Sequence, residues 1–258
     1  MKQIKHHKEI AEFTLMDDTF FNVCFQNSPE CVEVVIEAIL GKKLTVKEHS
    51  VQKAIRKLGG GSVILDVKAV DSENRHYDIE IQRTDSGAGA LRARYNAALM
   101  DASFKEPGEY GGNLPETYVI FITENDYWKL GLPKYTFERK CIESKNSELL
   151  LEDKLHIIYV NGSYVGDDPV GSLMNDFRSK NTADVKNKVL RNRMEQYKDN
   201  NKEEFEMDRV MDKLCREVRE EQAKKTAKKM LEDGMNEELI SKYSGLTLEE
   251  IEKLKKSA

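Results

Sequence analysis

The sequence predicts an α/β fold, in which helices flank a mixed sheet of at least four strands and an all-helical region follows. Residues 63–83 alternate between apolar and polar positions with the period of two that is typical of strands. Residues 117–123 are apolar on both faces, as expected for a strand inside a sheet. From about residue 169, strand signals almost vanish, and Lys and Glu recur with a helical period.

One clear helix precedes the strands. Ser28 and Pro29 are residue types that favour a helix start, and Gly41 favours a helix end. The residues between them are mostly apolar, which predicts a helix that is largely buried. Residues 42–58 are amphipathic, and their pattern is ambiguous between helix and strand.

The later elements complete a domain that we place at residues 1–165. A helix is predicted from about Leu91 to Phe104, and residues 135–141 and 155–160 are further strand candidates. Residues 166–258 form the helical C-terminal region. The sequence therefore predicts one α/β domain with a helical appendage.

Residues 63–83 most simply form an antiparallel hairpin, because residues 71–75 (D-S-E-N-R) between the two runs have the composition of a turn. The polar side chains of the second strand share one face; they are Asp78, Glu80 and Gln82. The hairpin can bring Asp66 of the first strand beside Glu80 of the second. Two converging carboxylates suit a hard divalent cation, which prefers oxygen ligands.

The C-terminal region contains an apolar series with helical spacing, made of Met207, Val210, Met211, Leu214 and Val218. Residues 236–254 predict two short helices around Gly245, with Thr247 and Glu250 as a capping box that begins the second. These proportions fit a helix-turn-helix. Acidic residues near the start of the second helix would face phosphates, so we favour packing or homodimerisation through these helices over DNA contact.

Composition excludes several classes of protein. The net charge of −5 with 34% charged residues excludes a general polycation but allows a local basic groove. No apolar run approaches the roughly 20 residues that cross a bilayer, and the N-terminus lacks the apolar core of a secretory signal. The four cysteines are scattered, which fits reduced thiols in a cytoplasm, and the five histidines show no zinc-ligand spacing.

The order of motifs resembles the PD-(D/E)XK nuclease core, and more narrowly the branch of recombination-promoting nucleases and transposases. Asp66 ends a hydrophobic strand, and residues 77–82 (Y-D-I-E-I-Q) follow with Gln82 where the motif usually has Lys. Further segments resemble the same branch, namely residues 16–21, 38–41, 92–95, 110–122 and 123–126. The resemblance covers roughly residues 12–165 and implies a restriction-endonuclease-like sheet.

The resemblance implies a metal site and a reaction. The carboxylates of Asp66 and Glu80 and the carbonyl of Ile81 are expected to hold Mg²⁺, with Mn²⁺ as an alternative. The motif lysine positions the attacking water, whereas Gln82 can orient water through its amide but carries no charge. Lys68, on the face of Asp66, is a candidate for the missing ammonium.

The resemblance also nominates residues outside the hairpin. Asp18 is a candidate extra acidic group, although an acidic residue there also fits a helix start. Arg92 and Arg94 are candidates for binding DNA phosphates, since a guanidinium matches two phosphate oxygens. Because residues two apart point to different sides of a helix, we expect at most one of the two arginines to face the site.

These expectations amount to a metal-dependent bacterial DNA endonuclease, linked to recombination, mobile elements or defence against foreign DNA. Two alternatives stay open. One is a nucleic-acid-binding or regulatory protein that keeps the fold with weak or lost catalysis, which the substitution of lysine by Gln82 motivates. The other is an oligomeric interaction protein that acts through its helical tail.

Overall fold

The computed structural model describes residues 7–56, 62–104, 113–144, 149–198, 223–224, 226–231 and 233–256. The chain divides into two compact units. The larger unit is Ile10–Asn200, and the smaller combines Met1–Glu9 with Asn201–Ala258. In the described parts of the chain, no helix is long and apolar enough to cross a membrane.

A mixed sheet forms the centre of the larger unit. Its described strands are β1 (Val46–Arg56), β2 (Ser62–Asp71), β3 (His76–Gln82), β4 (Thr117–Thr123), β5 (Lys134–Phe137) and β6 (Leu155–Asn161). Their spatial order is β1-β2-β3-β4-β6-β5. The pairs β3–β4 and β4–β6 are parallel, and the other three pairs are antiparallel. The predicted α/β class with a mixed sheet is therefore confirmed.

The described helices belong to both units. They are α1 (His7–Glu12), α2 (Asp18–Phe25), α3 (Pro29–Leu40), α4 (Ala90–Ser103), α5 (Pro169–Arg178), α6 (Lys188–Lys198), α7 (Glu237–Ser244) and α8 (Leu248–Lys256). Helix α3 begins at Pro29 and ends at Gly41, whose φ of 70° is in the left-handed region that favours glycine. The predicted limits of this helix are confirmed.

Helix α4 covers one face of the sheet. Ala93, Ala97 and Met100 of this helix belong to one buried apolar cluster with Phe121 of β4 and Tyr159 of β6. Alternation along β3 sends Ile79 and Ile81 to the opposite face, where both are also buried. A strand with both faces covered holds its polar residues in the protein interior.

The sequence was ambiguous about β1 and inaccurate about β5. Strand β1 lies within the segment 42–58, and its described side chains from Lys47 to Gln52 are exposed or half-buried without a strict alternation, which explains the ambiguity of the sequence. The candidate strand at 135–141 shortens to Lys134–Phe137, and the chain beyond it forms a separate bridge between Lys140 and Leu150. Helices α5 and α6 belong to the same compact unit as the sheet, while the domain boundary after residue 165 stays a prediction.

The smaller unit contains α7 and α8. A small apolar core joins them to helical residues before α7; its buried members are Ala227, Ile240, Leu246 and Ile251. Gly245 ends α7 with a φ of 74°. The predicted capping box is present, since the Glu250 carboxylate accepts the Thr247 amide at 2.8 Å and the Thr247 hydroxyl accepts the Glu250 amide at 3.3 Å. The apolar series between Met207 and Val218 lies outside the described residues.

Candidate metal and phosphate site

The predicted hairpin is present, and its backbone pairing ends just before Asp66 and Glu80. Strands β2 and β3 pair in an antiparallel register that includes Val67 opposite Ile79. Continuing this register places Asp66 opposite Glu80. There the Asp66 carboxylate accepts the backbone N–H of Ile81 at 3.1 Å. A side-chain oxygen thus takes the place of a backbone acceptor, and this holds Asp66 against β3.

Two carboxylates of β3 lie beneath α4. Asp78 and Glu80 project from the same face of β3, and both are 0% exposed. The Asn96 amide of α4 donates to both, at 3.0 Å to Asp78 Oδ2 and at 3.4 Å to Glu80 Oε1. Neither Asp78 nor Asn96 is among the site residues predicted from sequence. The alternation along β3 placed Asp78 on the face of Glu80, but only the packing of α4 shows that this face is buried.

Arg92, one helical turn before Asn96, reaches the same carboxylate from its other side. Its Nη2 donates to Glu80 Oε2 at 2.5 Å, and its Nη1 donates to Gln82 Oε1 at 3.1 Å. The Gln82 amide in turn donates to Glu80 Oε2 at 3.3 Å. Arg94 is exposed, and Arg92 is therefore the one of the two predicted arginines that faces the carboxylates.

Positions four apart on a helix and two apart on a strand are spaced by similar distances. Side chains one turn apart on α4 can therefore contact successive side chains on one face of β3. Arg92 meets Glu80, and Asn96 meets Asp78 and also Glu80. The Arg92 side chain is 38% exposed, whereas the Glu80 side chain is 0% exposed. The guanidinium therefore contacts the buried Glu80 carboxylate while part of the Arg92 side chain remains exposed to solvent.

The carboxylates raise one another's pKa. Burial is the largest cause for Asp66, Asp78 and Glu80, and in each case a neighbouring carboxylate raises the pKa further. The charge of Arg92 lowers the pKa of all three, but the net shift is upward. Because burial and the neighbouring carboxylates oppose ionisation of each group, a cation bound here would favour their ionised forms.

The donor set fits a divalent cation of the Mg²⁺ type. Asp66 and Glu80 offer carboxylate oxygens, and the Ile81 carbonyl points to the same edge of β3 as its N–H, towards Asp66. Asp78 Oδ1 is buried and lacks a hydrogen-bond partner among the described residues. Across those residues, no group of three or more His, Cys, Asp or Glu side chains is arranged to hold a metal. A cation held by Asp66 and Glu80 would complete its coordination with backbone oxygen or water.

The remaining predicted residues lie near this cluster. Lys68 is paired across the ladder with Asp78, and its ammonium lies 5.1 Å from the centre of the Phe104 ring. Asp18 is the first residue of α2, and its charge raises the pKa of Asp66 and Glu80 after the larger effect of their burial. The charge of Asp18 therefore reaches the carboxylates, whereas Lys68 shares their strand pair with its ammonium beside Phe104; the roles of both residues stay predictions.

The six-stranded mixed sheet, its flanking helices and the paired carboxylates on β2 and β3 define a nuclease-like fold of the restriction-endonuclease type. The chain belongs to the PD-(D/E)XK nuclease family transposases, because the sequence model of that family matches residues 32–242. The match includes every predicted site residue except Asp18. Searches of curated proteins and of solved structures found no match.

Proposed function

We propose that the protein is a metal-dependent DNA endonuclease that hydrolyses phosphodiester bonds. The observation that supports this most directly is the convergence of Asp66 and Glu80 from neighbouring strands, with the Ile81 backbone between them. Three carboxylates with raised pKa values lie together at this point, so a cation there removes an unfavourable concentration of charge. Membership of a nuclease family agrees with this chemistry.

The proposed ligands are the carboxylates of Asp66 and Glu80 and the carbonyl of Ile81. A bound Mg²⁺ or Mn²⁺ lowers the pKa of a coordinated water and screens the scissile phosphate. Asp66 is held in place by the Ile81 amide, and Glu80 is held by the amides of Asn96 and Gln82. Carboxylates fixed in this way lose little conformational entropy when a ligand binds.

Positive charge in the proposed site comes from Arg92, and Lys68, which is paired with Asp78 across the ladder, is proposed as a second cation. The Gln82 amide is oriented by Arg92 and can position water, although it cannot titrate. The Arg92 guanidinium is partly exposed and has the fork geometry that binds phosphate oxygens. Arg94 is proposed to contact DNA further from the carboxylates, and Asp18 is proposed as an additional acidic group.

The biological setting is proposed from the family alone. DNA is the proposed substrate, in recombination, in the movement of mobile elements or in defence, within a bacterial cytoplasm. Nothing in the site requires strand transfer, and simple cleavage is the more economical reaction. Homodimerisation through the C-terminal helices is part of the same proposal.

The test is cleavage of supercoiled and linear DNA by the purified protein in Mg²⁺, Mn²⁺ or EDTA. Asp66→Ala and Glu80→Ala should each abolish metal-dependent cleavage, because each removes one of two carboxylate ligands. Gln82→Lys introduces the residue that is usual at this motif position, and faster cleavage than the wild type would show that the natural glutamine limits the rate. Unchanged cleavage in both alanine variants would show that the assigned site is wrong.

A second candidate is a nucleic-acid-binding protein without efficient catalysis. The specific observation in its favour is that Glu80 is fully buried and that both of its oxygens already accept hydrogen bonds, from Arg92, Gln82 and Asn96. A wild-type protein that binds DNA and never cuts it in either metal would favour this candidate. Cleavage that appears only in Gln82→Lys would instead indicate a weakened nuclease.

A further inference from the structure

The short 3₁₀ turn Asp85–Ala88 lies between β3 and α4. It contributes to the site through the carbonyl of Gly87 and through the absence of a side chain at that residue. The Gly87 carbonyl accepts a hydrogen bond from Arg92 Nη1 at 3.0 Å. The same Nη1 donates to Gln82 Oε1, so Gly87 and Gln82 hold one guanidinium nitrogen between them. The second nitrogen, Nη2, then lies against Glu80.

The space beside Gly87 is occupied by Gln82. A Cβ atom at position 87 would lie 1.9 Å from Gln82 Oε1, 3.1 Å from Gln82 Cδ and 3.6 Å from Arg92 Nη1. The first distance is far below van der Waals contact, so the Gln82 carboxamide cannot keep its place beside any other residue at 87. Gly87 is not among the described glycines with positive φ, and its backbone is therefore accessible to alanine.

A side chain at position 87 should therefore affect the site without affecting the fold. The atom that would clash is the end of a flexible side chain and not backbone, so an alanine at position 87 can be accommodated if Gln82 rotates away. Rotation removes one of the two acceptors that Arg92 Nη1 uses, and it removes the amide that donates to Glu80. The fold tolerates the change while the arrangement around Glu80 does not.

We propose that Gly87 is a positioning residue of the site, because its missing side chain leaves the space in which Gln82 meets Arg92 and thereby fixes the guanidinium on Glu80. The inference rests on the proposed nuclease function. It explains how a neutral glutamine serves where a lysine is usual: Gln82 orients the charge of Arg92 and does not carry charge itself. Gly87 acts through these two side chains and does not touch substrate.

The test compares Gly87→Ala with Gly89→Ala, each in the wild-type and in the Gln82→Ala background. A Cβ atom at position 89 would meet no side chain within 4 Å, so Gly89 is the matched control two residues away. Gly87→Ala should lower kcat for Mg²⁺-dependent DNA cleavage by about 10- to 100-fold, as expected when reacting groups are misplaced by about 1 Å. Gly89→Ala should leave kcat unchanged, and neither substitution should lower the melting temperature.

The double variant distinguishes a local role from a general one. With Gln82→Ala the clashing carboxamide is gone, so Gly87→Ala should cause no additional loss of kcat. The same loss in both backgrounds, or no loss in the wild-type background, overturns the inference while the proposed nuclease stands.

A second measurement is independent of catalysis. The side-chain amide signals of Gln82 are the pair missing from the ¹⁵N–¹H spectrum of Gln82→Ala, recorded in EDTA. They should shift in Gly87→Ala and stay in place in Gly89→Ala. Unshifted Gln82 signals overturn the inference. If they shift but the wild-type protein neither cuts DNA nor binds Mg²⁺ by calorimetry, the proposed function fails, and with it a positioning role in that reaction.

Discussion

At the scale of single residues, the structure shows which of the predicted polar side chains are buried together. The hairpin and the resemblance predict Asp66, Glu80 and Gln82 as a group. In the structure the Asp66 carboxylate accepts the Ile81 N–H, and the Gln82 amide donates to Glu80 and accepts from Arg92. Their catalytic roles stay predictions. Asp78 was missed because a strand carboxylate is exposed in most proteins, and only the helix above it removes this one from solvent.

Asp78 should cost the protein stability. Its Oδ1 is buried without a hydrogen-bond partner among the described residues, and the charge of Asp66 opposes its ionisation in addition to burial. Asp78→Asn should therefore raise the free energy of unfolding at pH 7 in EDTA by about 1–3 kcal/mol, because the neutral amide carries no charge that burial and Asp66 oppose. Urea denaturation measures this, and a variant less stable than the wild type would contradict it.

Arg92 should compete with a metal ion for Glu80. Its guanidinium lies 2.5 Å from Glu80 Oε2, so a cation that uses this oxygen must displace it. Arg92→Ala should bind Mg²⁺ more tightly in the absence of DNA, by about tenfold or 1.4 kcal/mol, and should nevertheless cut DNA more slowly. Calorimetry measures the affinity.

Arg94→Ala is the control for this competition, because it removes the same charge from an exposed position on the same helix. Its Mg²⁺ affinity should equal that of the wild type. An Arg92→Ala affinity that is equal to or weaker than the wild-type value would show that Arg92 and the metal do not share Glu80.

At the scale of elements, the β2–β3 turn fixes the register that aligns the carboxylates. Asp71 accepts the backbone amides of Glu73 and Arg75 at 2.9 Å each, together with the Arg75 guanidinium and the Tyr77 hydroxyl. Burial by itself raises the pKa of Asp71, but these donors outweigh it and the net shift is downward. One carboxylate therefore organises the whole turn.

The lowered pKa predicts where the turn loses stability. A carboxylate whose pKa is lower in the folded chain stabilises the fold above its unfolded pKa of about 3.9 and loses that contribution as the pH falls through the folded value. Asp71→Asn should lower the free energy of unfolding at pH 7 by about 1–3 kcal/mol and flatten the acid side of the stability profile. Thermal unfolding from pH 2 to 7 measures both effects.

Glu73→Gln is the matched control in the same turn. Its side chain is 69% exposed in its ion pair with Arg75, and exposed pairs contribute little. Its stability profile should follow that of the wild type. An Asp71→Asn profile parallel to the wild type at all pH values would argue against the assigned cause.

At the scale of the whole molecule, the compact units suggest where the chain can be divided. Helices α5 and α6 bury Met174, Phe177, Leu190 and Met194 within the larger unit, each at most 1% exposed. A fragment of residues 1–200 should unfold cooperatively and keep any cleavage activity. A fragment of residues 1–168 loses these buried side chains and should show no cooperative transition by circular dichroism.

Association provides a separate readout of the same fragments. If the C-terminal helices mediate homodimerisation, the full chain should sediment as a dimer and the 1–200 fragment as a monomer. The same oligomeric state for the two proteins in analytical ultracentrifugation would exclude these helices as the dimer contact.

The sequence by itself determined the α/β class, the hairpin, the helix from Pro29 to Leu40 and the capping box at Thr247, since each depends on local period and turn chemistry. It also indicated that Asp66 and Glu80 converge, because the turn between them sets the register.

Only the tertiary structure decided what lies above those carboxylates. The choice of Arg92 over Arg94, the burial of Asp78 and the space left by Gly87 all depend on how α4 and the preceding turn pack on β3. Such contacts join residues that are up to 18 positions apart and have no common period. Side-chain packing between elements sets them, and local patterns in the chain do not record that packing.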